Sequence, residues 1–156
     1  NTMKHTLLII TALMLVVGFT SGQEPIDGST LVRKDFLQYA PGSDKPYSGV
    51  TVEYYENGQK YREVTLKDGK EDGLYTGWYE NGQKMWEGTY KDGDEEGKWT
   101  AWYENGQKYR EVTLKDSKDD GLWTKWYENG QKAWERTYKD GELIESTSWD
   151  KYGNKK

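Results

Sequence analysis

The sequence predicts an all-β fold: tandem β-hairpins repeating every 24 residues and forming an elongated single-layer antiparallel meander. The string YENGQK begins at Tyr55, Tyr79, Tyr103 and Tyr127, and KDG or KDS begins at Lys67, Lys91, Lys115 and Lys139. Each YENGQK holds an Asn-Gly pair, the strongest short hairpin signal, because a type I′ turn needs positive φ at both central residues. Nothing in the repeats carries a sustained apolar stripe at helical spacing, and an Asn-Gly pair in every unit opposes a helix.

Composition sharpens the picture. The chain has 156 residues, is 33% hydrophobic and 31% charged, and has a net charge of −5 and a mean hydropathy of −1.10. Those values alone fit a disordered chain. Aromatics at 15%, as 8 Trp, 13 Tyr and 2 Phe, argue the other way, since each ring brings a large area to bury. The length fits one domain. With no Cys there is no disulfide and no thiolate nucleophile. The single histidine is His5, in the leader, so the repeats lack the usual neutral-pH base and zinc ligands. The acidic balance disfavours nucleic acid and simple attraction to anionic lipid.

Taken in order, residues 1–22 read as a signal peptide. Met3 starts it, Lys4 and His5 are its basic region, residues 6–19 are an uncharged apolar run, and small Thr20 and Gly22 suit cleavage after Gly22. The expectation is export to the periplasm, cell surface or medium, with an uncleaved N-terminal membrane anchor as the alternative. Residues 23–30 are expected to be a flexible leader. Residues 31–48 form an N-terminal cap with short strands around 31–33 and 36–39. Residues 49–145 are four repeats, and 146–156 are a partial fifth unit, WDKYGNK, with a C-terminal cap.

Within a unit, residues 74–79 are the first strand, Glu80-Asn81-Gly82 the turn, 83–91 the return strand and 92–97 an acidic, Gly-bounded connection. The expected turns are Asn57-Gly58, Asn81-Gly82, Asn105-Gly106 and Asn129-Gly130. A two-residue turn gathers Tyr75, Gly77, Tyr79, Trp86, Gly88 and Tyr90 on a first face. Trp99, Ala101, Tyr103, Trp123, Tyr127, Trp134 and Tyr138 continue its aromatic core, and this face is expected to be the better buried. The second face takes Leu74, Thr76, Trp78, Met85, Glu87 and Thr89, with a ladder of Tyr54, Trp78, Trp102 and Trp126. A three-residue turn shifts the return strand by one and mixes the sets. YREVTLKD recurs at Tyr61 and Tyr109, so odd and even units alternate in a 48-residue super-repeat.

The loop beginning at Asp92 resembles a calcium loop, yet its twelfth position, where a bidentate Glu belongs, is Tyr103. No carboxylate pair stands out as an acid–base pair, because the repeats make all candidates equivalent. Neither catalytic residues, nor a metal site, nor a cofactor are expected. The ladder Tyr54, Trp78, Trp102 and Trp126 suits sugar rings, a partner's apolar strip or cationic groups; the competing reading packs it on Lys and Arg stems. Lys60, Lys84, Lys108 and Lys132 read as solvated charge.

The pattern Gly73-x-Tyr75-x-x-x-Tyr79-x-Asn81-Gly82, then Glu87-x-x-Tyr90-x-x-Gly93, repeated over roughly residues 31–153, resembles the bacterial variant of the MORN repeat. The stretch 43–60 is similar to the start of exported bacterial proteins of this group, many of which carry the label of a toxin–antitoxin antitoxin family. Departures are Ser117 for Gly, Val64 and Leu66 in odd units, and Arg136 at the position of Gly88. The resemblance implies an elongated, non-enzymatic scaffold for protein–protein interaction and brings no catalytic residues. Two alternatives stand beside it: a carbohydrate or cell-wall module using the aromatic ladder, and an antitoxin-like inhibitor of a toxin. The expected partner is a protein of unknown identity, or else a glycan. Nucleic acid is not expected, and a membrane only through an uncleaved leader.

Overall fold

Two kinds of turn alternate along the chain and set its period. In the computed structural model, residues 23–156 are described, so the expected signal peptide lies outside them. At Asp68-Gly69, both residues have positive φ (48° and 81°) between the paired Lys67 and Lys70, which is a two-residue type I′ turn. The same turn recurs at Asp92-Gly93, Asp116-Ser117 and Asp140-Gly141. At the Asn-Gly sites only the glycine is left-handed; Gly82 has φ 82°. There the Gly82 amide donates to the Tyr79 carbonyl and the Tyr79 amide to the Gln83 carbonyl, both at 2.9 Å. This is a three-residue loop with Gly in its left-handed position.

The type I′ turn expected at Asn-Gly therefore sits at Asp-Gly instead. The physical reason is local: Asn81 Oδ1 accepts from the Gln83 amide at 2.9 Å, an Asx turn that keeps Asn81 out of the left-handed region. The longer loop shifts the return strand by one residue. One extra residue then shifts it back, since Trp78 pairs with Lys84 while Gly77 pairs with Trp86, leaving Met85 unopposed. Tyr61, Tyr109 and Ala133 are skipped in the same way. Turn and bulge cancel, so beyond the bulge the pairing matches that of a two-residue turn: Tyr75 lies opposite Gly88 and Gly73 opposite Tyr90.

The strands are β1 (Ile26–Asp27), β2 (Val32–Lys34), β3 (Leu37–Tyr39), β4 (Gly49–Tyr54), β5 (Lys60–Lys67), β6 (Lys70–Trp78), β7 (Lys84–Lys91), β8 (Asp94–Trp102), β9 (Lys108–Lys115), β10 (Lys118–Asp119), β11 (Gly121–Trp126), β12 (Lys132–Lys139) and β13 (Glu142–Ser148). Among the described residues they form one open eleven-stranded sheet and a separate β2–β3 hairpin. Neighbours in sequence are neighbours in the sheet, except that β1 adds to β4 in parallel and both β10 and β11 pair with β9. The path from β1 to β13 extends about 43 Å at ~4.8 Å per strand.

Two segments differ from expectation. Residues 26–30, expected as flexible leader, hold the short strand β1 and a 3-10 turn capped by Asp27, whose side chain accepts from the Ser29 amide. The connection expected over 92–97 is strand from Asp94 onward, because the I′ turn needs only Asp92 and Gly93.

Among the described residues no large side chain is fully buried. The most buried apolar residues are Tyr47, Val52, Val64, Leu66, Val112, Leu114 and Ala133. The residues named as the aromatic core, Tyr75, Tyr79, Trp86, Tyr90, Trp99, Tyr103, Trp123, Tyr127, Trp134 and Tyr138, are all half-buried. A single layer gives each ring one wall of sheet and leaves its outer side open, so depth falls to the short aliphatics between the rings. The cap tightens one end. The Gln38 amide donates to Gly69 O at 2.9 Å, the Gly69 amide to Tyr47 O at 2.8 Å, and Tyr47 packs on Val64 and Leu66.

Candidate functional site

Each YENGQ turn is bolted to the next one along the sheet. The Tyr55, Tyr79, Tyr103 and Tyr127 hydroxyls donate to the carbonyls of Trp78, Trp102, Trp126 and Trp149 at 2.7, 2.8, 2.9 and 3.0 Å. Burial pushes the pKa of the first three hydroxyls up, so they stay protonated donors. Asn57 and Asn81 Nδ2 donate to the Glu80 and Glu104 carbonyls at 3.1 Å. At the other margin, the Asp92 amide donates to Asp72 and the Asp116 amide to Glu96, at 3.1 and 3.0 Å. The acidic loop residues are thus turn partners, and no cluster of potential metal ligands occurs among the described residues.

The second face carries an alternating row. Lys60 lies opposite Tyr54, Lys84 opposite Trp78, Lys108 opposite Trp102 and Lys132 opposite Trp126. Each ammonium also sits over the following ring: Lys60 over Trp78 at 5.5 Å, Lys84 over Trp102 at 5.8 Å, Lys108 over Trp126 at 5.5 Å and Lys132 over Trp149 at 5.9 Å. The ladder Tyr54, Trp78, Trp102 and Trp126 is therefore brought into one line, with Trp149 extending it. Its rings are separated by lysines rather than stacked on one another. Tyr54 is 58% exposed, and the indoles are half-buried.

Beneath it runs a second row in which Glu and Thr alternate: Glu63, Thr76, Glu87, Thr100, Glu111, Thr124 and Glu135 are successive cross-strand neighbours. The lysines pair with these acids, Lys60 with Glu63 at 2.6 Å, Lys108 with Glu111 at 2.7 Å, and Lys84 with Glu87. Burial alone raises the Glu111 pKa, but Lys108 and Lys98 hold it below the ordinary carboxylate value. Thr76 and Thr124 are buried between their acidic neighbours.

The first face is organised by size. Its cross-strand row reads Glu53, Arg62, Gly77, Trp86, Ala101, Arg110, Lys125, Trp134. Trp86 is flanked by Gly77 and Ala101, and a Cβ on Gly77 would overlap its indole. A Cβ on Gly88 would overlap the Trp99 indole. The 48-residue alternation is thus a packing rule: even units set Trp and Tyr on the face where odd units set Arg-x-Val-x-Leu, with Gly88 between the two rings in the second unit and Arg136 in the fourth. Arg62 accordingly pairs with Glu53 at 2.6 Å, and Arg110 and Arg136 lie over Trp123 and Trp134 at 5.4 and 4.5 Å.

Two adjoining cavities open on this face, of about 230 and 240 Å³. Tyr75, Trp86, Tyr90 and Trp99 wall the first; Trp99 and Trp123 wall the second; Glu95 and Arg110 line both. Burial, with the Glu71 and Glu95 carboxylates, pushes the Tyr90 hydroxyl up. Glu71 is itself pushed up by burial, against the pull of Arg62 and Arg33. Sequence reasoning assigned these rings to the core and so missed the cavities. The signal was the size alternation itself, Gly and Ala beside Trp.

A search of the curated proteins returns no match. A family model described as a MORN repeat variant matches residues 47–68, 71–92, 95–116 and 119–140, over half of the chain. Those bounds follow the structure, each match ending at the Asp of a type I′ turn. MORN repeats are scaffolds that bind proteins or membranes, in keeping with an open sheet whose rings are half-exposed, and the chain belongs to the MORN repeat variant family.

Proposed function

We propose that this chain is an exported, non-enzymatic scaffold that docks a protein partner on the second face of its sheet. The observation that supports it is the line Tyr54, Trp78, Trp102 and Trp126, one half-open ring per repeat, set among paired lysines and glutamates. Apolar anchors in a polar surround are the usual anatomy of a protein contact. Repetition multiplies it: a partner that touches several rings gains from each without any single deep pocket. Export is the part that rests on residues 1–22, whose short basic start and apolar run fit a signal peptide.

The test has two arms. Fractionation of producing cells with N-terminal sequencing of the recovered protein reads export, and intact protein found in the cytosol removes it. Crosslinking in envelope extract, with Trp78→Ala and Trp102→Ala beside the wild type, reads the docking face. Loss of the same crosslinked species in both variants, with folding intact, supports the reading; unchanged crosslinks reject the face.

A further inference from the structure

The opposite face offers something chemically different from a row of rings. Its two cavities form one trough across β6 to β11, each compartment walled by an indole and edged by a carboxylate 24 residues from its counterpart: Trp99 with Glu95, then Trp123 with Asp119. Arg110 stands at the boundary between them. None of Glu95, Arg110 and Asp119 takes part in an ion pair among the described residues. Each compartment is smaller than the ~300–1,000 Å³ of a drug-sized pocket, so each fits a single ring rather than a folded ligand.

We propose that this trough binds a neutral glycan, one sugar ring against Trp99 and the ring two positions along at the edge of Trp123, whose face Arg110 covers, with hydroxyls bonded to Arg110 and the two carboxylates. The charge pattern selects the class. A cation at this site meets Arg110, and an anion meets Glu95 and Asp119. A neutral polyol uses all of them, because its hydroxyls accept from the guanidinium and donate to the carboxylates. The Trp99 indole supplies a flat apolar wall for the C–H face of a pyranose ring. An extended peptide is the poorer fit. Strand addition needs a free sheet edge, and here the backbone amides of β6 to β9 are already spent in the ladder. The walls recur every second strand, about 9.6 Å, which is on the scale of a disaccharide rather than of one ring. The inference is independent of the protein-docking reading, since the two use opposite faces.

The experiment is calorimetric titration of the full chain with the monomers and linear oligomers of β-linked glucose and N-acetylglucosamine. The expected result is binding that strengthens from monomer to oligomer. Glu95→Gln combined with Arg110→Gln should weaken it about tenfold or more, as expected for lost charge-assisted hydrogen bonds, with the β-sheet circular dichroism spectrum retained. Trp99→Ala should abolish it, but that ring also packs on Tyr75 and Tyr90, so the polar double variant is the deciding one. Trp102→Ala, on the other face, should leave it intact. Absence of binding to every neutral oligomer overturns the proposal. So does binding that survives the polar double variant, binding lost only in Trp102→Ala, or competition by a free amino acid rather than a sugar.

Discussion

The Tyr79 hydroxyl donates to the Trp102 carbonyl at 2.8 Å, tying the turn of one repeat to the strand end of the next. Three further copies of this bond run the length of the sheet. Because contacts in such an array join neighbours, its stability is a sum of unit and interface terms, and this bond belongs to the interface. Tyr79→Phe removes it while keeping the ring, so the expected loss is about 1 kcal/mol. Tyr79→Ala also removes the ring's packing, for about 3 kcal/mol. Urea denaturation of both variants measures the pair, and a loss below ~1 kcal/mol for the alanine would mean the ring contributes little packing.

Gly88 carries the size rule. A Cβ there would overlap the Trp99 indole, whereas one on Gly93 meets nothing within 4 Å. Gly88→Ala should therefore cost about 1–3 kcal/mol through overpacking. Gly93→Ala should cost only the left-handed backbone penalty at φ 97°, about 1 kcal/mol. The discriminating readout is near-ultraviolet circular dichroism: Gly88→Ala should alter the indole signal and Gly93→Ala should not.

Much of this architecture is legible in the sequence, and the exceptions have identifiable causes. The period and the all-β class follow from YENGQK and KDG. The type I′ turn expected at Asn-Gly lies at Asp-Gly, a dipeptide that also favours that turn. What decides between them is the Asn81 Oδ1 bond to the Gln83 amide, at 2.9 Å. The pairing beyond the bulge was recoverable only because the longer loop and the skipped Met85 shift it in opposite directions. The ladder was readable from spacing, but the Lys60 ammonium over Trp78 depends on a cross-strand diagonal that spacing alone does not give. The trough was hidden for a similar reason: rings on the first face look like core until the described residues are known to form no second layer over them.

Ser117 stands where the other repeats place Gly in the type I′ turn, at φ 58°. Its hydroxyl offsets part of that strain, accepting from the Glu95 amide and donating to Asp94, both at 3.0 Å. Ser117→Ala keeps the strain and loses both bonds, so it should cost about 1–2 kcal/mol. Ser117→Gly relieves the strain as it loses them and should fall within ~0.5 kcal/mol of the wild type. Thermal melts of the two variants beside the wild type check the order; alanine equal to glycine would show that the backbone strain contributes nothing, and alanine equal to the wild type would show the same of the hydroxyl bonds.

Phe36 is a bulkier side chain held in the left-handed region. It sits at φ 64° in the type I′ turn between β2 and β3 and is 86% exposed, so neither backbone nor packing favours it there. Phe36→Gly should stabilise the chain by roughly 1 kcal/mol, read as a higher urea midpoint.

Glu71 and Glu111 should respond to pH with opposite signs. Burial raises the folded-state pKa of Glu71 above its unfolded value despite Arg62 and Arg33. Its contribution is then fully present below the unfolded pKa and is lost as pH rises through the folded one, where the half-buried carboxyl must ionise. Glu71→Gln should therefore be more stable than the wild type at about pH 7, with the advantage fading below ~pH 4. Glu111 is the reverse case. Burial opposes its charge, but Lys108 at 2.7 Å and Lys98 at 2.9 Å lower its pKa in the fold. Its contribution is present above the unfolded pKa and is lost as pH falls through the folded one. Glu111→Gln should be less stable than the wild type at about pH 7 and should approach it in acid. Urea midpoints for the three proteins at both pH values test the pair. The same sign of change in both variants would mean that the two carboxylates do not differ in the way their surroundings require.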